Sequence, residues 1–284
     1  MQIMSKKEIS LYKDHLIDEE KAPATIEKYI RDVNCFAQWL QKEDVYKSDV
    51  VEYKAYLIKK YAPASVNSAL SSLNSFFDFC KCSDLKIKQL KIQKTIFVQA
   101  ENELLKEEYN RLLSTALEMK KDDLFWIMQT ICSTGIRVSE LKFITVEALN
   151  KGVAEIYNKG KKRRVFLPMQ LCVALNKYTT DRNIKNGPVF ISKNGIPLDR
   201  SNIWSSMKKL CIKSNVSPQK VFPHNLRHLF AHTYYSAQKD IVRLSDILGH
   251  SSINTTRIYT MESGEVHKEQ IQNLGLLYEY KSTT

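Results

Sequence analysis

The sequence predicts a mainly α-helical protein of two domains, with one small antiparallel β-sheet in the second. Three observations carry this. The first ninety or so residues set their apolar side chains at helical spacing, with prolines at helix starts. Residues 86–98 break that pattern and alternate lysine with apolar residues. Beyond them, two short strand-like runs flank a basic turn inside an otherwise helical stretch.

The elements follow in order. Residues 5–18 read as a first helix. In 24–40, Ile26, Tyr29, Ile30, Val33, Phe36, Ala37 and Leu40 make one face, and Pro23 and Thr25 mark its start. Residues 48–60 hold a shorter helix. Val66, Ala69, Leu70, Leu73, Phe76, Phe77 and Cys80 make another face, begun near Pro63. Four short helices form a small all-α domain, residues 1–90. The segment 86–98 has no helical face and no glycine, and reads as extended and basic; an edge strand with solvated lysines fits it equally well. A linker is placed at 91–101. The second domain, 102–284, opens with helices at 104–117 and 122–133. Strands are expected at 153–157 and 164–167, joined by a tight basic turn over 158–163. Helices follow at about 169–182, 201–215, 224–237, 240–248 and 252–259, with a terminal stretch after Glu262.

Composition narrows the function. A chain of 284 residues is long enough for two domains with real cores. No stretch approaches the roughly 20 apolar residues of a membrane span. The start of the chain lacks an apolar signal core, so no secretion is expected. None of the six cysteines forms a CxxC pair, which leaves zinc-ribbon and thioredoxin-like readings without support. Most sit among apolar neighbours and read as buried thiols in a reducing cytoplasm. Lys and Arg number 43 against 31 Asp and Glu, a formal charge of +12. Such an excess favours polyanions, because each neutralised phosphate releases counterions.

Four segments carry chemistry. Thr134-Gly135-Ile136-Arg137-Val138-Ser139-Glu140-Leu141 comes first, then Asn158-Lys159-Gly160-Lys161-Lys162-Arg163. Next is His224-Asn225-Leu226-Arg227-His228-Leu229-Phe230-Ala231, and last is the run from Leu248 through Gly249, His250 and Arg257 to Tyr259. In order and spacing these segments resemble the signature boxes of the tyrosine recombinase, or phage integrase, family, Xer-like members especially. The resemblance covers the whole second domain, and more loosely the first, which is similar to the family's SAM-like core-site DNA-binding domain. Leu229 and His232 stand where the family often has a small polar residue and threonine.

The resemblance implies a site-specific recombinase that cuts and rejoins DNA through a 3′-phosphotyrosine intermediate, without metal, ATP or other cofactor. Tyr259 would be the nucleophile. Arg137 and Arg227 would hold the nonbridging oxygens, a task that suits the planar, permanently charged guanidinium. Glu140, three residues after Arg137, would support the basic groups. His224 would handle a proton or a hydrogen bond, His250 would donate to the phosphate, and Lys159 would protonate the leaving oxygen. Lys161 and Lys162 compete with Lys159, since the turn is short. With Arg163, Lys91 and Lys94 they are otherwise expected to contact DNA. His228 and His232 continue the helical spacing of His224, but without an HExxH sequence or a nearby cysteine a metal site is not expected; His228 is expected to pack beneath the site.

Each residue also has a plain reading. Alone, Tyr259 is one of 14 tyrosines, most of which serve cores or interfaces. Arginines are usually surface residues, and a lone histidine after a glycine is usually structural. The four boxes together decide the matter. The expected partners are duplex recombination sites, other copies of the chain (four at synapsis) and an accessory DNA-bending or directionality factor. The chain starts almost directly at the core-binding helices, so an additional arm-binding domain is not expected. The tail, with Ile271, Leu274, Leu276, Leu277 and Tyr278, is apolar enough to dock on a neighbour or to pack on its own domain, and the resemblance implies the neighbour.

Overall fold

Proline has no N–H to give a helix interior but fits the first turn, and Pro23 and Pro63 each open a helix. In the computed structural model, residues 4–92, 103–158, 161–192, 194–250, 252–259 and 272–274 are described. The chain falls into two compact units, Met1–Lys94 and Thr95–Thr284. The first contains α1 (Lys6–Asp18), α2 (Pro23–Leu40), α3 (Lys47–Lys60) and α4 (Pro63–Phe79). Ser5 caps α1 by accepting the Glu8 amide. The predicted apolar faces meet at a core of Tyr12, Leu16, Val33, Phe36, Leu70, Leu73, Phe76 and Phe77. Phe36 lies edge-on to Phe77 at 6.3 Å, and Tyr12 edge-on to Phe76 at 5.1 Å. Burying each such ring is worth roughly 2–3 kcal/mol.

The basic segment is extended where it is described, but it is not free. Asn74 accepts the Ile87 amide (3.0 Å) and donates to the Ile87 carbonyl (2.9 Å). Asn67, two helical turns earlier, does the same for Leu90 (2.7 and 2.9 Å). These side-chain amides stand in for a neighbouring strand. Ile87 is buried and Leu90 packs on the core, while Lys86, Lys88 and Lys91 face solvent. Residues 93–101 of the basic segment and linker, Lys94 included, lie outside the described residues.

The second unit opens with α5 (Lys106–Glu118) and α6 (Asp122–Thr134). A 3-10 turn, Val138–Phe143, and a short helix, α7 (Val146–Lys151), follow; the sequence reading held neither. Strands β1 (Val153–Asn158) and β2 (Lys161–Phe166) pair antiparallel, with Ile156 opposite Arg163 and Asn158 opposite Lys161. The strands therefore run further into the basic run than the sequence suggests, and residues 161–163 belong to β2 rather than to a turn. Alternation explains this. Ala154, Ile156 and Val165 face inward, while Glu155, Tyr157, Lys162 and Arg164 face solvent. Arg163 occupies an inward slot of that alternation.

The remaining helices are α8 (Met169–Asp181), α9 (Arg200–Lys208), α10 (Cys211–Ser214), α11 (Pro223–Gln238), α12 (Ile241–Leu248) and α13 (Ile253–Thr256), closed by a 3-10 turn, Arg257–Tyr259. The single helix expected over 201–215 is two, α9 and α10. The core surrounds α6, with Ile127, Met128 and Ile131 against Leu112, Leu175 and Leu226. Among the described residues no helix is long and apolar enough to cross a membrane. Cys82, Cys172 and Cys211 are buried free thiols, as expected, whereas Cys35 is exposed.

Candidate active site

Two helix ends build the site. Helix α6 stops at Gly135, whose φ of +66° suits a residue without a side chain. A Cβ there would lie 2.4 Å from the Phe230 ring, so the glycine also lets α11 approach closely. Helix α12 stops in the same way at Gly249, with φ +65°. Arg227, on α11, reaches both ends. Its Nη1 donates to the Gly135 carbonyl (2.6 Å) and its Nη2 to the Leu248 carbonyl (2.8 Å). Both carbonyls sit at helix C-termini, where the dipole favours a cation.

Arg227 is fully buried. Its partners are those two carbonyls, the Nε2 of His250 at 2.9 Å and the Tyr259 side chain, none of them a carboxylate. Its Nε–H has no hydrogen-bond partner among the described residues. Burial, and then the Arg137 charge, push the guanidinium down to about 10, still positive near neutral pH. A buried cation without an anion is costly, and here it borders a cavity. That cavity, about 200 Å³, is lined by Arg137, Ser139, Arg200, Pro223, His224 and Arg227, among others. Arg200, the first residue of α9, is a cation that the sequence reading missed; it belongs to no box, and nothing in its neighbours marks it.

Glu140 is buried at 2% exposure. Its Oε1 accepts from Arg137 Nη1 (3.0 Å), and its Oε2 accepts the Arg137 amide (2.8 Å) and Arg163 Nη2 (2.6 Å). Arg137 is therefore held at both backbone and side chain, just ahead of the 3-10 turn. Arg163, expected among solvent-facing DNA contacts, is turned inward at 16% exposure. Its Nη1 donates to the Ile247 carbonyl at 2.5 Å. The physical reason is its strand parity, which an alternation count across the basic run would have shown.

Aromatic rings line the other side. His224 packs edge-on to His228 at 4.7 Å, His228 edge-on to Tyr259 at 4.6 Å, and His250 lies nearly parallel to Tyr259 at 6.0 Å. Tyr259 is buried in a small cluster with Ala231, Leu244 and Leu248. His250 Nδ1 meets Thr256 Oγ1 at 2.8 Å. Because Arg227 can only donate, Nε2 of His250 must accept, which leaves the proton on Nδ1 for Thr256. Burial, then Arg227, push His250 down to about 4; burial, then His224, push His228 to about 4. His224 is lowered too, by burial first and then by Arg227 and Arg137. The three rings are neutral near pH 7. His232 is exposed, and no group of three His, Cys, Asp or Glu among the described residues is arranged as metal ligands would be.

The structure thus brings together Arg137, Glu140, His224, Arg227, His250 and Tyr259. Lys159 lies outside the described residues, as do most of the tail positions. Lys161 is described only in its backbone. Lys162 is exposed and paired with Glu155 at 2.9 Å.

Comparison with known proteins places this geometry. Residues 102–265 match the model of the phage integrase family, and residues 9–82 match the phage integrase N-terminal SAM-like domain. The chain is 29% identical to tyrosine recombinase XerA of Pyrococcus furiosus, over 81% of each chain. It is also 29% identical to tyrosine recombinase XerC of Treponema denticola, over 88% of this chain and 91% of that one. Among solved structures, a lambda integrase dimer bound to a COC′ core site superposes with a TM-score of 0.73 at 16% identity, covering 97% of this chain and 98% of that one. XerH recombinase bound to its difH substrate in a pre-cleavage complex gives 0.69 at 18% identity, over 95% and 85%. Those two likenesses are of fold. The family match spans more than half of the 284 residues, and on that ground the chain belongs to the phage integrase family, the tyrosine recombinases.

Proposed function

We propose that this chain recognises specific sites in duplex DNA and exchanges strands there, with Tyr259 as the nucleophile. The observation that carries the reading is Arg227: among the described residues it is a fully buried cation without a carboxylate partner and with an unused Nε–H, beside the Tyr259 ring and at a cavity shared with Arg137. A phosphate supplies the missing anion.

The chemistry runs as follows. The Tyr259 oxygen attacks phosphorus, forming a phosphotyrosine ester with the 3′ end and breaking the bond to the 5′ oxygen. His224, neutral near pH 7, takes or relays the phenol proton. Lys159 gives a proton to the departing oxygen, which leaves as a 5′ hydroxyl. Arg137 and Arg227 hold the nonbridging oxygens as charge gathers on them. His250 donates to the same oxygens once its one ring proton moves from Nδ1 to Nε2, the Thr256 hydroxyl then donating to Nδ1. A 5′ hydroxyl from a second duplex then attacks the phosphotyrosine, so the ester energy is conserved and neither ATP nor a metal ion is called for. Arg200, with Lys91, Lys94, Lys161 and Lys162, grips flanking phosphates.

Exchange between two duplexes calls for four copies at synapsis, with the tail docked on a neighbour and an accessory DNA-bending or directionality factor at some sites. The helical N-terminal unit (1–90) and catalytic unit (102–284), joined by the linker 91–101, would hold the duplex, and the work is placed in the cytoplasm. The test is a supercoiled plasmid library run on a denaturing gel. A covalent DNA adduct at one sequence, mapped by peptide mass to Tyr259, is the expected result. Adducts at no preferred sequence, with relaxed plasmid, would point instead to topoisomerase action; an adduct formed by Tyr259→Phe would sink the nucleophile assignment.

A further inference from the structure

Helix α12 ends with free carbonyls, as every helix does. Here two arginines take successive ones. Arg227 takes Leu248 and Arg163 takes Ile247. The next residues are Gly249 and His250. Arg163 crosses directly over Gly249: a Cβ there would stand 2.4 Å from Arg163 Cδ and 2.8 Å from its Nε. The far side of the same guanidinium is fixed on Glu140 Oε2 at 2.6 Å, the oxygen that also takes the Arg137 amide. One side chain therefore joins three parts of the site: β2 of the hairpin, the Arg137 turn and the His250 turn. No box assigns this to Arg163, and its parity in β2 makes it possible, since Lys162 and Arg164 face the other way.

We infer that Arg163 is a positioning residue, which locks the His250 turn to the Glu140–Arg137 pair and so sets the geometry of the phosphate site without touching DNA. The inference rests on the recombinase reading above. Held at both ends, Arg163 fixes where Ile247 ends α12, and hence where the His250 ring meets Arg227. Misplacing a site group by about 1 Å costs on the order of 10²-fold in rate, whereas the DNA contacts themselves are left in place. Gly249 has a second reason to be glycine, beyond its φ: the arginine occupies the space of a side chain.

The test uses the full chain and a nicked DNA substrate carrying the site found by adduct mapping. The single-turnover cleavage rate at saturating DNA and the dissociation constant are measured for wild type, Arg163→Met and Arg163→Lys. Arg163→Met is expected to cut the rate by about 10- to 100-fold while leaving the dissociation constant and its salt dependence unchanged. Arg163→Lys keeps the charge but lacks the fork that spans two partners, so it should lose most of the same rate. In ¹⁵N spectra of the folded proteins, the Nδ1–H tautomer of His250 should be well defined in wild type and averaged in Arg163→Met. Gly249→Ala should cost less in Arg163→Met than in wild type, because the clash with the arginine is then gone and only the strain of its positive φ remains. Wild-type rates in Arg163→Met, or an unchanged His250 spectrum, would overturn the inference. So would a loss lying in the dissociation constant with a salt slope lower by about one, the mark of a phosphate contact. Absence of an adduct with wild type itself would count against the recombinase reading instead.

Discussion

Both units gather charged side chains, half-buried in the first and buried in the second, and they treat them differently. In the N-terminal bundle, Asp32 on α2 accepts from Lys28 (2.7 Å) and from the buried Ser72 of α4 (2.8 Å), and Lys28 also donates to Ser72 and to the Ser68 carbonyl. Arg31 lies 3.5 Å from the other Asp32 oxygen, so the carboxylate is fully compensated, and the network joins two helices. Among the described residues of the second unit, Glu140 alone faces Arg137 and Arg163, and Arg227 has no carboxylate bonded to it. The cluster carries surplus positive charge toward a cavity. A compensated charge closes a fold; an uncompensated one, held at this cost in stability, keeps a place for an anion.

The sharpest way to test this contrast is to remove a group from each side. Tyr259→Phe should abolish covalent adducts while DNA binding persists, the largest effect expected, read on a denaturing gel beside a mobility shift. Arg227→Met should follow, cutting cleavage by about 10²–10³-fold. Removing a buried cation with no partner anion should leave the melting temperature unchanged or raised. Asp32→Asn should do the reverse, with stability lower by about 1–3 kcal/mol and cleavage per folded molecule unchanged. If Arg227→Met melts lower by a comparable amount, the arginine is a structural tie and the contrast between the units fails.

Acid sharpens the comparison in the second unit alone. His228 and His250 are pushed from 6.5 to about 4, each chiefly by burial. Between those values the unfolded chain binds protons that the folded chain refuses. Their contribution is therefore whole above pH 6.5 and is lost as pH falls through about 4. Thermal melts over that interval should slope downward toward acid, and His250→Gln should flatten part of the slope. An unchanged slope in that variant would mean the ring is solvated in the folded protein.

The sequence showed the helices of the first unit almost to the residue, because proline starts and apolar faces are local signals. It also showed which residues of the second unit belong together, through boxes whose order resembles a family. It did not show what those residues do to one another. That Arg227 binds carbonyls of residues 135 and 248, or that His250 Nδ1 faces Thr256, depends on contacts between distant segments. The inward placement of Arg163 was hidden for a different reason: a run of four basic residues masks the alternation that sends one of them inward. Arg200 had no local signal at all.

The smallest effect expected lies in the first unit, where Asn67 and Asn74 hold the extended segment by its backbone. Each asparagine makes two hydrogen bonds to one residue. Asn74→Ala removes both and leaves the Ile87 amide and carbonyl to water or to nothing, at a cost of about 1–2 kcal/mol. Because Ile87 is buried and Leu90 only partly so, Asn74→Ala should cost more than Asn67→Ala. The readout is amide hydrogen exchange, faster by roughly tenfold for each 1.4 kcal/mol of local opening. It should rise at Ile87 in one variant and at Leu90 in the other, with the amides of α2 and α4 still protected. Exchange that rises across the whole bundle in either variant would show that this segment is part of the core rather than a strap laid over it. The satisfied network of the first unit would then extend to the point where the described chain leaves it.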